Sequence, residues 1–138
     1  MPKIDSESKS ISIIGGGPAG LKAALVAVKR GHKVTLYEKE QRLGGQVLLA
    51  QLLPGREEFG GMITHLNHQI QKSGVIVQIG SCMSVEKLTE LDADLIILAT
   101  GARRYMPAFD MIDPGQTWHY HDLLNNSATI GNRVVIAD

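Results

Sequence analysis

Three glycines with the spacing G-x-G-x-x-G stand near the start of the sequence, in the stretch SIIGGGPAGLKAA. Gly15 would allow a tight turn out of a strand, Gly17 would let a pyrophosphate approach the backbone, and Gly20 would let a helix pack closely. Pro18 and Ala19 fall in the first turn of that helix, whose N–H groups and dipole attract phosphate. The stretch predicts a dinucleotide-binding turn, with a purely structural glycine turn as the alternative.

An acidic residue stands where such a turn requires one. Glu38 follows Gly20 by 18 residues and ends the run HKVTLYE, where its carboxylate can accept hydrogen bonds from ribose hydroxyls. The same negative charge repels a 2′-phosphate, which favours the adenosine of FAD, NAD or ADP. We assign Lys39, the next residue, to the same end of the site.

The elements that must position these residues follow from apolar periodicity. Apolar runs predict strands at residues 11–14, 32–38, 75–80, 93–101 and 132–138, and helical spacing predicts helices at 18–30 and 56–74. We expect a short helix or a turn at 84–91 and one or two helical turns at 119–126. This alternation predicts an α/β fold with a doubly wound parallel sheet, as part of a Rossmann-like FAD/NAD(P)-binding domain. We expect a flexible tail at 1–10, the incomplete domain at 11–131, and a strand at 132–138 that leads into a region absent from the sequence.

One predicted helix has a well-defined apolar face. In REEFGGMITHLNHQIQKSG, the apolar residues that share this face are Phe59, Met62, Ile63, Leu66 and Ile70.

The composition excludes several classes of function. Fourteen Lys and Arg residues balance fourteen Asp and Glu residues, without the basic block of a nucleic-acid-binding protein. No apolar run reaches the roughly 20 residues of a transmembrane helix, and no signal-peptide core is present, so we expect a cytoplasmic protein. The single cysteine, Cys82, rules out an intrachain disulfide, and we interpret it as a small buried residue.

Three further stretches, VTLYEKEQRLGGQ, LPGREEF and DLIILATGARRYMP, follow the glycine turn in that order. Together with GGGPAG they resemble the nucleotide-binding part of the trimethylamine dehydrogenase and 2,4-dienoyl-CoA reductase family, over residues 11–138. The resemblance implies that the glycine turn holds the pyrophosphate of the cofactor and that Glu38 holds its adenosine ribose. It places Arg42 near the adenosine end. It also implies that Gly44, Gly45 and Gln46 run along the dinucleotide. Ala99, Thr100 and Gly101 would form a turn at the carboxyl end of a strand, where doubly wound sheets bind their ligands.

The resemblance also implies a function. This chain would bind FAD, or ADP in its place, within a flavin-dependent NAD(P)H oxidoreductase, while a TIM-barrel domain absent from the sequence carries FMN and a 4Fe–4S cluster. Electrons would pass between a nicotinamide or an external carrier and that catalytic domain, so the isolated chain would be inactive. Two alternatives stay open: a non-catalytic ADP-holding domain that supports assembly of a larger protein, and an NAD-binding domain. An oligomer is possible, and the residues do not define the substrate.

Histidines at two places could do other chemistry. His65 and His68 stand three residues apart on a predicted helix, but no nearby ligands complete a metal site, which favours a solvated helix face. The stretch WHYHD offers acid–base groups, yet its Asp122 is typical of a helix start, which favours a structural role. We find no catalytic nucleophile or general base, as expected where a cofactor transfers the electrons.

Overall fold

The computed structural model describes residues 7–103, 105, 117–125 and 130–136. The chain divides into two compact units, Met1–Ala102 and Arg103–Asp138. In chain order the first unit contains β1 (Ser10–Ile14), α1 (Pro18–Lys29), β2 (Lys33–Tyr37), α2 (Val47–Ala50), α3 (Glu58–Gln71), β3 (Ile76–Gln78), α4 (Val85–Thr89) and β4 (Leu95–Leu98). The second unit contains α5 (Tyr120–Leu124).

The strands form a four-stranded parallel sheet of order β3-β2-β1-β4. Its register places Ile13 of β1 opposite Leu36 of β2 on one side and Ile97 of β4 on the other. Because all the strands are parallel, their carboxyl ends meet at one edge of the sheet, where this class of fold binds ligands. The predicted α/β fold with a parallel sheet is thereby confirmed.

The core packs β1 and β2 against α1 and α3. Ile13, Leu21 and Leu36 are the largest fully buried side chains among the described residues, and Ile63 and Leu66 of α3 join the same cluster. Burying one such side chain completely contributes about 1.5–3 kcal/mol. The core therefore anchors β1 and α1, the two elements that flank the glycine turn.

The helix α1 has the start and the stop that the sequence predicts. Pro18 is its first residue, where a missing N–H costs no helical hydrogen bond. Gly31 follows the C-cap residue Arg30 with a φ of +96°, a conformation that glycine adopts readily and other residues rarely do. The chain then turns directly into β2, which keeps the strand–helix–strand unit short.

The segment around α2 and α3 differs from the prediction in two respects. Met62 is 42% exposed, whereas Ile63, Leu66 and Ile70 are buried, so the predicted apolar face is only partly buried. The buried stripe of α3 is narrower than the apolar stripe of its sequence, because one side of the stripe faces away from the core. The helix α2 was not predicted, since four residues are too few to show a helical period.

The predicted boundaries at the two ends also differ from the structure. Ser10 belongs to β1, and the Ser8 hydroxyl donates a hydrogen bond to the Gly31 carbonyl oxygen at 2.7 Å, so ordered structure begins before Ile11. Residues 132–136, which were predicted as part of a strand, are not in a strand. Residues 137–138, which complete that predicted strand, lie outside the described residues.

The short helix α5 confirms the prediction of helical turns in HYHDLLNN. Its N-cap is His119, whose ring Nδ1 accepts a hydrogen bond from the His121 N–H at 3.3 Å. The Asp122 carboxylate accepts the His119 N–H at 3.2 Å from within the first turn. Asp122 thus has the structural role expected of it, as part of a capping box.

Candidate dinucleotide-binding site

The glycine turn follows β1 directly, and two of its glycines are required by the protein itself. Gly15 has a φ of +112°, and a side chain on it would overlap the carbonyl oxygen of Ala99. A side chain on Gly20 would overlap the carbonyl oxygen of Gly15. Gly15 therefore serves the tight turn, and Gly20 serves the close packing of α1 against that turn.

Gly17 differs from its neighbours because nothing in the described chain requires a glycine there. Its φ of −76° and ψ of −179° suit any residue, and a Cβ added to it would meet no protein atom within 4 Å. It is the N-cap of α1, where no side chain caps the helix. The backbone at Gly17 thus presents the positive end of a helix dipole to open space, which is the arrangement that an anionic ligand needs.

Glu38 is held against the glycine turn. Its side chain is only 5% exposed. One carboxylate oxygen, Oε2, accepts the Gly16 N–H at 2.6 Å, and the other, Oε1, accepts the Glu40 N–H at 2.8 Å. Each carboxylate oxygen can accept more than one hydrogen bond, so the group keeps capacity for ribose hydroxyls while its orientation is fixed.

A second glycine-containing loop packs on the first. The Gly44 N–H donates to the Gly16 carbonyl oxygen at 2.8 Å. A Cβ on Gly45 would lie 3.1 Å from the Gly17 Cα, and both Gly44 and Gly45 have positive φ values, +133° and +57°. The backbone of this loop can therefore approach the glycine turn closely only because side chains are missing.

The third part of the site is the turn after β4. The Ala99 N–H donates to the Ile14 carbonyl oxygen at 2.8 Å, which extends the pairing of β4 with β1. Thr100 and Gly101 follow on the surface, and Gly101 has a φ of +74°. The Gln46 amide donates from Nε2 to the Ala102 carbonyl oxygen at 2.8 Å, so the second loop and this turn are joined.

The structure thus brings most of the predicted residues to one edge of the sheet. Lys39 and Arg42 lie on the surface, and the Lys39 ammonium is 3.6 Å from the Glu40 carboxylate. Sequence reasoning missed Gly16, whose N–H fixes Glu38 and whose Cβ would meet the Leu43 side chain. The available signal was the run of three consecutive glycines, one more than the G-x-G-x-x-G spacing needs.

Three other residues singled out in the sequence are exposed. His65 and His68 are exposed on α3, and the described residues contain no group of three or more metal-ligating side chains. Cys82 is exposed, so its interpretation as a buried residue was wrong; it follows the end of β3 in a surface loop, where residue type does not decide burial. Within the described ranges, every helix is too short or too polar to cross a membrane.

A glycine turn at the end of β1, an open helix N-terminus and a buried acid at the end of β2 define the class of dinucleotide-binding α/β domains. Residues 9–134 match the sequence pattern of the pyridine nucleotide-disulphide oxidoreductases. The chain belongs to this family, and its domain is of the type that binds FAD or NAD(P).

Individual relatives are consistent with this assignment. The chain is 41% identical to an NADH oxidase from Thermoanaerobacter brockii over 99 residues, which cover 72% of this chain and 15% of that protein. The structure is similar to that of a 2-naphthoyl-CoA reductase in complex with 2-naphthoyl-CoA, with a TM-score of 0.89 and 26% identity over 96% of this chain and 20% of that chain. For histamine dehydrogenase from Rhizobium sp. 4-9 the TM-score is 0.81 and the identity 28%, over 94% of this chain and 21% of that chain.

These relatives confirm the predicted resemblance to the trimethylamine dehydrogenase and 2,4-dienoyl-CoA reductase family of flavin-dependent oxidoreductases. The chain spans 15% of the NADH oxidase and about a fifth of the two solved relatives. All three relatives are larger proteins, in which a dinucleotide-binding domain of this kind is one part.

Proposed function

We propose that this chain binds FAD, or ADP in its place, as the nucleotide-binding domain of a flavin-dependent NAD(P)H oxidoreductase. The proposal depends most on the open space beside Gly17. The protein leaves room for a side chain at this N-terminus of α1, and a glycine there leaves the backbone open to an external group. A pyrophosphate is the group that such a helix N-terminus is suited to hold.

The residues around Gly17 fit the parts of an adenine dinucleotide. The backbone N–H groups at the start of α1 would hold the pyrophosphate, and the Glu38 carboxylate would accept the ribose hydroxyls. Arg42 and Lys39, both exposed, would lie near the adenosine end. The second loop and the turn after β4 would line the remaining half through Gly44, Gly45, Gln46, Ala99, Thr100 and Gly101.

The role of this chain would be to bind and orient the cofactor. FAD supplies the ability to accept a hydride and to pass on single electrons. We assign no general acid, base or nucleophile to this chain. The buried Glu38 would exclude cofactors with a 2′-phosphate from the adenosine end. The carboxylate and the phosphate would repel each other strongly there, because little water is present to screen their charges.

The rest of the function would depend on a larger protein. By resemblance, a TIM-barrel domain with FMN and a 4Fe–4S cluster would exchange electrons with this domain, and a nicotinamide or an external carrier would deliver or remove them. We place this protein in the cytoplasm and allow for an oligomer. The reductase and dehydrogenase names of the relatives support electron transfer in general, without defining a substrate.

A pair of matched glycine variants tests the proposal. Gly17→Val introduces a side chain into open space, so the fold should persist while binding of ADP and FAD is lost. A Cβ on Gly61 of α3 also meets no protein atom within 4 Å, and Gly61 lies outside the candidate site, so binding by Gly61→Val should match that of the unaltered chain. Titration calorimetry with ADP, FAD and NAD⁺ measures the affinities, and circular dichroism checks the fold.

The outcomes separate the alternatives. No binding of ADP or FAD by the unaltered chain up to millimolar concentrations would overturn the proposal, as would full affinity in Gly17→Val. Binding of ADP alone, with a purified protein that lacks flavin absorbance, would favour the non-catalytic ADP-holding domain. NAD⁺ binding tighter than FAD binding would favour an NAD-binding domain instead.

A further inference from the structure

The strand order gives the candidate site two halves. The glycine turn follows β1, Glu38 follows β2 on one side of it, and the turn of Ala99 to Gly101 follows β4 on the other side. Neighbouring strands are about 4.8 Å apart. A ligand with its adenosine on Glu38 and its pyrophosphate on the glycine turn must therefore place its next groups over the end of β4.

The two halves are held by different contacts. Glu38 is fixed to the glycine turn by the Gly16 N–H, and this contact involves no residue after β4. In the other half, the Gln46 amide reaches across to the Ala102 carbonyl oxygen at 2.8 Å. Because a carbonyl oxygen only accepts hydrogen bonds, the side-chain group that faces it must be the NH₂ of Gln46.

Contacts with the glycine turn fix the backbone on the N-terminal side of Gln46. Gly44 donates to Gly16 at 2.8 Å, and Gly45 lies against Gly17. Beyond β4, in contrast, Gly101 has a positive φ and open space around it. The contacts of Ala99 with Ile14 and Gly15 support the start of this turn, and the Gln46 amide connects the second loop to its far end at Ala102.

We propose that Gln46 is a positioning residue that holds the turn after β4 in place. It thereby raises the affinity of the site for a full dinucleotide without changing its affinity for ADP. This inference rests on the proposed function, since it assumes that the adenosine and pyrophosphate bind as described above. Gln46 acts on the second half of the ligand through Ala102, and the adenosine half is independent of it.

The test compares two ligands in the 138-residue chain. In Gln46→Met the side chain keeps its length and loses its donor, and in Gln46→Glu it loses the donor and carries a charge that repels the Ala102 carbonyl oxygen. Both variants should bind FAD about tenfold more weakly, the equivalent of about 1.4 kcal/mol, while their ADP affinity stays within twofold of the unaltered chain. Gln71→Glu, at the last residue of α3, is the matched control and should change neither affinity.

Each other outcome counts against the inference. If FAD and ADP affinities fall together, or if neither falls, Gln46 does not act on the second half alone. A loss in Gln46→Glu without a loss in Gln46→Met indicates a charge effect on the ligand and overturns the positioning role. If both variants unfold in thermal melts, Gln46 supports the fold instead. If the unaltered chain binds neither ligand, the proposed function itself fails.

Discussion

At the scale of single residues, acidic side chains in this chain stabilise the backbone by accepting N–H groups. Glu38 accepts from Gly16 and Glu40, and Asp94 accepts from the Ser10 N–H at 2.7 Å and from its hydroxyl at 3.0 Å. Asp94 precedes β4 and Ser10 begins β1, so this contact pins the start of one strand pair. A carboxylate in such a place makes part of the stability depend on pH.

We expect the Asp94–Ser10 contact to be lost in acid. Hydrogen bonds from the Ser10 backbone N–H and then from its hydroxyl lower the pKa of Asp94 below its ordinary value of 3.8. A lowered pKa in the folded state means that this stability is present above the ordinary value and lost as the pH falls through the folded pKa. Thermal melts of the unaltered chain and of Asp94→Asn should therefore differ most at neutral pH and converge at pH values below 3.8.

A difference between the two proteins that stays constant from pH 7 to about pH 2 would contradict this expectation. Asp92→Asn is the control, because Asp92 is exposed in the same turn between α4 and β4. Its melts should follow those of the unaltered chain.

At the scale of elements, a glycine in α1 and a glycine in α3 have opposite effects on stability. Gly20 lies in the first turn of α1 with the Gly15 carbonyl oxygen where its side chain would be. Gly61 lies in α3 beside open space. A glycine inside a helix costs roughly 0.5–1 kcal/mol relative to alanine, so only Gly20 has a packing reason to be kept.

Alanine at these two positions should change stability in opposite directions. Gly20→Ala should destabilise the chain by about 1–3 kcal/mol, because the added methyl group forces β1 and α1 apart. Gly61→Ala should stabilise it by about 0.5–1 kcal/mol through helix propensity alone. Urea denaturation followed by circular dichroism measures both, and a Gly20→Ala protein as stable as the unaltered chain would disprove the close approach of α1 to the turn.

At the scale of the whole molecule, the strand β4 has apolar side chains that are exposed to solvent. Leu95 is 48% exposed and Leu98 67% exposed, and among the described residues β4 pairs only with β1. An apolar strand with unpaired backbone groups is a site for association with other chains. The small domain therefore carries a surface that a larger assembly could cover.

We expect the 138-residue chain to self-associate through β4. Leu95→Lys places a charge on the exposed side chain at the start of the strand, away from its carboxyl end. Sedimentation velocity at rising concentration should show less association in this variant, with ADP affinity unchanged. Equal association of both proteins would place the contact on a different surface. Gln71→Lys adds the same charge at an exposed position of α3 and controls for a general effect of surface charge.

The predictions from the sequence were most accurate where the residues in contact are also close together in the chain. The strand–helix–strand unit from β1 to β2 is local, so periodicity, Pro18 and Gly31 sufficed to predict it. The end of β3 and the burial of Cys82 were predicted less well, because both depend on contacts with distant parts of the chain. The resemblance named the loop of Gly44 to Gln46 without showing what it touches.

The sequence by itself determined the type of fold and the kind of ligand, through the glycine spacing, Glu38 and the alternation of strands and helices. Only the tertiary structure separated Gly17, which no protein atom requires to be glycine, from Gly15 and Gly20, which the packing requires. It also joined Gln46 to Ala102 across 56 positions of the chain. The physical reason is that backbone conformation and apolar periodicity are local properties, whereas free space and hydrogen-bond partners arise only when distant segments pack together.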